Sequence, residues 1–561
     1  MDNKRLILLV IFLISLFMLW DAWQKQNRLP APVTQAQTAT QGRTQGSVVP
    51  TPSAPSGNPA PEAIPEALAA GENKVSEAIT IKTDLLTAKV SLQGGDIVEL
   101  LLNDYKTVDD KNKVFALFEP KHHYVAQSGL IGEGLANHKT QFSALAGPRE
   151  LGADDKTVQL RLEATTGGVK VTKIYTFTRG SYLIDVTQEI DNGSQKTLSA
   201  HAYYQLQRDT ATPDGESGMA NIFTGPAVYS EQEKYQKISF GDIEKGKAKF
   251  IEKANDGWIA MVQHYFVSVW IPQENLSREY FVRKLGADIS AGVIVPMPQV
   301  APGEKASRSV SLYAGPQIQS VLNQLAKPVE EGGIGAKGLA LVVDYGWLTI
   351  VAAPIFWCLE MIHKLVGNWG WAIIILTIII KLLFFPLSAA SYKSMAKMKA
   401  VAPRMNALRE RYGDDKQRLN QELMNFYRTE KINPLGGCLP ILIQIPVFLA
   451  LYWALLGAVE MRDAPWILWI KDLSSKDPYY VLPIIMAVTM FIQTKLNPTP
   501  PDPMQAKVML MMPLIFGFMF LFFPAGLVLY WVVNNILSIA QQWQITRMIE
   551  SGNKAANDAK A

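Results

Sequence analysis

A nineteen-residue run, Trp369–Leu387, is apolar with a single charge inside it, Lys381. At helical rise it spans about 28 Å, close to the thickness of a bilayer's hydrocarbon core. Lys381 falls about two-thirds of the way along. An ammonium near mid-membrane costs about 2.5–3.5 kcal/mol on insertion scales, so such a residue usually faces a polar cavity or carries a function. The competing reading is a snorkelling lysine, since Ser388 is only seven residues away and the four-carbon stem can reach an interface. The run alone leaves both open.

The rest of the chain is divided by composition. Residues 27–335 read as a water-soluble protein, and 339–546 are dominated by long apolar runs. Both cysteines, Cys358 and Cys438, lie in the apolar half, so the polar half needs no disulfide and a Cys/His metal site is excluded. The first twenty residues place Lys4 and Arg5 before an apolar stretch, Leu6–Trp20, and no small-residue cleavage site follows. That pattern implies an uncleaved signal anchor with its N-terminus inside. Residues 27–71 hold eight prolines and no aromatic residue, so they cannot build a core and read as an extended tether.

From Ala78 to about Pro328 the pattern is period-two and rich in β-branched and aromatic residues, as in TVQLRLEA and VKVTKIYTFT. Turns are marked by Gly94-Gly95, Gly167-Gly168 and Asp191-Asn192-Gly193. This predicts one large β-sandwich. Its histidines, 122, 123, 138, 201 and 264, lack metal-ligand spacing and read as surface or satisfied residues. Residues 333–338 match GxGxxG, but no preceding strand makes a βαβ unit, so they read as a flexible hinge rather than a nucleotide loop. Trp347–Leu359, thirteen residues interrupted by Pro354, looks too short to span and reads as an amphipathic helix on the membrane surface.

Residues 391–433 carry ten Lys/Arg against five Asp/Glu. Met395, Met398, Met405 and Leu408, then Leu419, Leu423, Met424 and Tyr427, recur at helical steps on either side of Tyr412-Gly413-Asp414-Asp415. A cytoplasmic helical hairpin with a methionine-rich face follows, a surface suited to varied apolar partners. Beyond it come apolar runs at 435–459, 481–496, 508–523 and 527–540. Six spans result, with both termini inside and the β-domain outside. The polar residues Thr377, Gln444, Gln493, Asn534 and Asn535 are costly in lipid and should face one another, which favours a polar groove around Lys381.

The stretches 394–398 (SMAKM), 404–448 (RMNALRERYGDD…ILIQIPVF), 502–505 (DPMQ) and 523–531 (FPAGLVLYW) closely resemble the YidC family of membrane protein insertases, Gram-negative type. The resemblance implies a polytopic α-helical membrane protein, signal anchor plus five-helix core, with a large periplasmic β-supersandwich domain. The division expected is a signal anchor at 1–26, a tether at 27–75 and the β-domain at 76–330. A hinge and interfacial helix at 331–366 lead to the core at 367–546, which includes the hairpin at 391–433, and a short cytoplasmic tail at 547–561. It further implies a substrate groove lined by Lys381, Thr377, Gln444, Asn534, Tyr530 and Trp531, with client contacts at Met395, Met398, Met405 and Tyr427. Many relatives have arginine at the Lys381 position and Tyr-Tyr where this chain has Tyr530-Trp531. Expected partners are nascent membrane proteins, the Sec translocon with its accessory subunits, and the lipid bilayer. Ribosome or signal recognition particle contacts are weakly supported, because the tail is short and near neutral. No cofactor, metal or enzymatic activity is expected. Two rival readings are a secondary transporter, which lacks the expected internal repeats, and a carbohydrate-active enzyme resting on the β-domain fold alone.

Overall fold

The computed structural model describes residues 49–50, 77–108, 110–213, 222–345, 348–412, 415–430, 439–497 and 503–558. The expected signal anchor, the tether apart from residues 49–50, the Gly413-Asp414 turn and residues 431–438 lie outside them. The chain divides into two compact units, one ending at Val343 and the other beginning at Asp344.

The first unit is a sandwich of two nine-stranded antiparallel sheets. One sheet runs Ala78–Lys82, Leu86–Ser91, Ile97–Lys106, Val125–Ile131, His201–Asp209, Asp288–Pro296, Arg278–Leu285 and Lys253–Ala254, with Val114–Phe118 beside Ile97–Lys106. The other runs Lys234–Lys237, Gly225–Ser230, Trp258–Gln263, Phe266–Pro272, Lys305–Pro316, Leu183–Asn192, Val169–Thr178, Thr157–Thr166 and Ser143–Ala144. Period-two alternation sets the faces. Val158, Leu160, Leu162 and Ala164 point inward, paired in register with Phe177, Tyr175, Lys173 and Val171. The intervening Gly167 and Gly168 both have positive φ, 58° and 79°, as a two-residue hairpin turn requires.

That register forces Lys173 into a core position, fully buried. Its ammonium donates to the carbonyls of Gly94 and Ser128 and lies 3.9 Å from Asp96, whose carboxylate accepts from Gln127. Burial outweighs the mutual attraction, pushing the Asp96 carboxyl up to about 7 and the Lys173 ammonium down to about 8. Of the histidines, His122 meets Asp209 at 2.9 Å, His123 meets Asp288 at 3.1 Å, and His138 bonds the Tyr203 hydroxyl.

The expected hinge at 333–338 is docked, not loose. Trp258 Nε1 donates to the Lys337 carbonyl at 2.9 Å, and Leu339 and Val342 are buried. Gly338, at φ 70°, lies so close to the Tyr229 ring that a Cβ there would sit 2.2 Å from it. Glycine is needed here for close approach and a left-handed backbone, not for mobility.

Helices of the first unit are α1 (Phe240–Glu244) and α2 (Gln319–Ala326), and those of the second are α3 (Thr349–Val366), α4 (Trp369–Leu383), α5 (Phe385–Tyr412), α6 (Lys416–Thr429), α7 (Leu439–Gly457), α8 (Val481–Leu496), α9 (Pro503–Phe520) and α10 (Ala525–Asp558). Helix α3 has eighteen residues and is long and apolar enough to cross a membrane, so shortness cannot be the reason for placing it on the surface. Pro354 sits within its second turn without ending it. The buried residues Ala352, Phe356, Leu359 and Ile362 form one face, and Ile350, Trp357, Met361 and Leu365 form an exposed apolar one.

The run Trp369–Leu387 is not one straight helix. It bends by 64° between α4 and α5 at Phe384. Pro386 is the physical cause: it lacks the N–H that would bond to Leu382, and its ring crowds the preceding turn. Lys381 therefore lies in the last turn of α4, not at mid-span. Helix α8 and the apolar parts of α7 and α9, Gln444–Gly457 and Ala506–Phe520, are shorter than a full span would need if upright. The last helix does not stop at Ala540 but runs on through Asp558, so the described part of the expected tail continues it.

Candidate functional site

Helix α4 is capped by Asn368, whose side chain accepts from the Trp371 N–H and donates to the carbonyls of Pro465 and Trp466. The loop between α7 and α8 supplies the opposite fixed point. Asp477, 1% exposed, accepts from Trp469 Nε1 and from the N–H groups of Tyr479 and Leu482. The N–H groups of Ala525 and Gly526 at the start of α10 donate to the Ser475 and Leu473 carbonyls of the same loop. These contacts set how α4 lies against α10.

Further along that contact lies Lys381, only 4% exposed. Its Nζ donates to Ser538 Oγ at 2.7 Å, and the Ser538 hydroxyl donates in turn to the Asn534 carbonyl at 2.7 Å. Gln541 Nε2 donates to the Lys381 carbonyl at 3.4 Å, and the Tyr392 hydroxyl of α5 reaches the Ser538 carbonyl at 3.5 Å. Ser388 and Ser391, at the start of α5, are buried too. Further contacts extend the polar strip, with Asn535 Nδ2 donating to Thr489 Oγ1 at 3.3 Å and Gln542 Nε2 to Asn497 Oδ1 at 3.2 Å. Among the described residues no carboxylate pairs with Lys381. An ammonium has three N–H donors, so Ser538 leaves capacity for an acceptor from outside the chain.

Thr377 lies one turn before Lys381 on the same face, with its hydroxyl bonded to the Ile373 carbonyl at 2.7 Å. Tyr530 stacks on Phe448, centroids 6.2 Å apart, and Trp531 packs between Phe448 at 4.8 Å and Phe520 at 5.8 Å. Among the described residues, the Trp531 Nε1 and the side-chain oxygens of Gln541 and Gln542 are buried without a hydrogen-bond partner. Unsatisfied polar atoms of this kind mark a place that water or a ligand fills. Asn534 contributes its carbonyl to Ser538. Gln444, half-buried on α7 four residues before Phe448, makes no side-chain hydrogen bond to the Lys381 cluster among the described residues. Lys381 and Thr377 thus share one face of α4, the Asn534 carbonyl accepts from the hydroxyl that Lys381 bonds, and Tyr530 and Trp531 pack against Phe448 of α7.

In the hairpin, Asp415 caps α6 and Arg404 pairs with Glu430 at 3.0 Å. Met405 is only 3% exposed, and its sulfur accepts from the Tyr427 hydroxyl at 3.2 Å. This pair ties α5 to α6 and closes Met405 off from solvent, while Tyr427 stays half-buried. Met395 and Met398 are half-buried, and Met424 is open.

The residues missed by sequence reasoning are Ser388, Ser391, Tyr392, Thr489, Ser538, Gln541 and Gln542. A signal for the last three was present: Asn534, Ser538, Gln541 and Gln542 recur at helical spacing along one stripe of α10.

A family model described as the YidC periplasmic domain matches residues 78–358, and one described as 60Kd inner membrane protein matches residues 361–553. The chain is 61% identical to the membrane protein insertase YidC of Dechloromonas aromatica over 565 residues, covering 100% of each. It is 58% identical to that of Aromatoleum aromaticum over 564 residues, again covering 100% of each. Among solved structures it is similar to an active YidC insertase with its first transmembrane domain resolved, at 18% identity and a TM-score of 0.40, covering 82% of this chain and 91% of that one.

Proposed function

The chain belongs to the YidC family of bacterial inner-membrane insertases, and from that premise we propose how its second unit does this work. The protein is a membrane protein insertase whose β-sandwich is the periplasmic domain. It acts on nascent membrane proteins. The observation that carries the mechanism is Lys381, a buried cation that bonds the Ser538 hydroxyl and, among the described residues, meets no carboxylate.

A client segment enters from the cytoplasm past the hairpin and brings acidic residues towards Lys381. The ammonium lowers the cost of drawing those carboxylates part-way across, because charge attraction strengthens where water is scarce. The client's apolar helix then leaves sideways into lipid, driven by its own burial at roughly 25 cal/mol per Å². A membrane potential adds about 2.3 kcal/mol per charge per 100 mV. The work is physical, and no bond is made or broken. Orphaned polar atoms along α10 support a wet groove, and the short apolar helices support a locally thinned bilayer. In this reading six spans leave both termini cytoplasmic, and α3 lies along the membrane surface, since a seventh crossing would put the basic hairpin outside. The insertase acts alone or with the Sec translocon and its accessory subunits.

The test is photo-cross-linking of an arrested nascent membrane protein from probes at Thr377, Gln444, Tyr530 and Trp531, with Ile350 and Leu365 on the open face of α3 as controls. Capture at the first four positions and not at the controls is expected. Equal capture at both sets, or none at the groove, would refute the assignment.

A further inference from the structure

We infer that Ser538 is the positioning residue for the Lys381 ammonium, holding it inside the groove in the orientation that receives acidic client segments; this rests on the function proposed above. A serine hydroxyl has one proton and two acceptor sites. The proton of Ser538 is committed to the Asn534 carbonyl, 2.7 Å away and one turn back on α10. The free side of the oxygen is thereby fixed as an acceptor, and Lys381 Nζ lies 2.7 Å from it. Both residues are buried, at 3% and 4% exposure.

The frame around this contact is fastened at two points. Gln541 bonds the Lys381 carbonyl, and Tyr392 of α5 bonds the Ser538 carbonyl. Without Ser538 the lysine is a flexible four-carbon stem in the last turn of α4. Its ammonium can then leave the apolar surroundings by reaching past the helix end, as snorkelling lysines do. The hydroxyl supplies the reason for the charge to stay in. Serine back-bonding to its own helix is common, so a purely local role on α10 is the alternative that the experiment has to separate.

The full-length insertase is tested with one client bearing zero to four acidic residues in its translocated segment, at matched insertase abundance. Ser538→Ala lowers insertion of the most acidic client about tenfold, the loss of one charge-assisted hydrogen bond, and the loss grows with client acidity. Ser538→Thr, which keeps both the back-bond and the acceptor, restores insertion. In a Lys381→Ala background Ser538→Ala adds nothing further, because the two act as one unit. An equal loss with and without Lys381, a loss independent of client charge, or no rescue by threonine would overturn the inference. If Lys381→Ala is charge-dependent and Ser538→Ala is silent, the positioning role fails and the groove survives. If Lys381→Ala itself shows no charge dependence, both fall.

Discussion

Replacing Lys381 separates an electrostatic groove from a structural anchor. The ammonium is 4% exposed and has no carboxylate partner among the described residues. A client carboxylate arriving about 4 Å away, at an effective dielectric near 20, gains about 4 kcal/mol of attraction. Entry strips part of its hydration, and a surviving third of that energy is about 1.4 kcal/mol, a tenfold change in insertion rate per carboxylate. Lys381→Arg keeps charge and reach and should be tolerated. Lys381→Ala should lose about tenfold for each acidic client residue that reaches the site, and far less for neutral clients. Lys381→Glu should be worst, through repulsion of the client carboxylate. The assay is protease protection of a client with graded acidic residues at matched insertase levels. An anchor at the carbonyl end of α4, favoured there by the helix dipole, predicts a different result, in which abundance falls and all clients suffer alike. An alanine variant whose defect ignores client charge would refute the electrostatic argument.

Other expectations follow from the two units. Deleting residues 77–343 should leave insertion intact, whereas ending the cut at 320 should lower abundance, because it strips the cover from Leu339 and Val342 and cleaves α2; complementation with immunoblotting distinguishes them. Removing residues 395–427 should abolish insertion while the spans still assemble. Met405→Ala should destabilise the hairpin by about 2–5 kcal/mol, seen as faster proteolysis, while Met424→Ala should leave it folded and weaken client cross-linking. In the β-domain, the Asp96 carboxyl sits at about 7 against an ordinary 3.8, so the folded form holds the extra proton and stability should fall as pH rises through that window. Lys173 sits at about 8 against 10.5, so the unfolded form holds its proton more tightly and stability should rise again from pH 8 upward. Melting temperature against pH reads both limbs, and Asp96→Asn should erase the lower one; its persistence would disprove the assignment. Lys173→Ala should cost about 3–5 kcal/mol, since one member of a buried pair is left alone.

Strand faces were readable because a period of two depends only on neighbours in sequence. The inward phase of Val158, Leu160 and Leu162 predicts the sandwich, and the same phase places Lys173 inward. Its partner could not be read, because Asp96 is brought to it by a sheet-to-sheet approach that no local pattern encodes. The docking of 333–338 was hidden for the same reason: its glycines look like freedom in sequence, and only the Tyr229 and Trp258 surfaces show them to be a tight fit. Local sequence also missed the bend at Phe384, although Pro386 was in view, because hydropathy counts apolar residues without asking which N–H groups are missing.

The site divides along the same line. Sequence by itself determined that a cation lies in an apolar run, that a basic methionine-rich hairpin follows it, and that polar residues recur in later apolar helices. These facts rest on transfer energies and helical periodicity, which are properties of short stretches. Only the tertiary structure decided that Lys381 meets Ser538, 157 residues further on, and, among the described residues, not a carboxylate. That choice depends on how α4 and α10 are set against each other by Asn368, Asp477 and the loop between α7 and α8. A hydrogen bond near 2.7 Å tolerates shifts of only a few tenths of an ångström, and such placement is fixed by packing across the whole unit, not by any one segment of it.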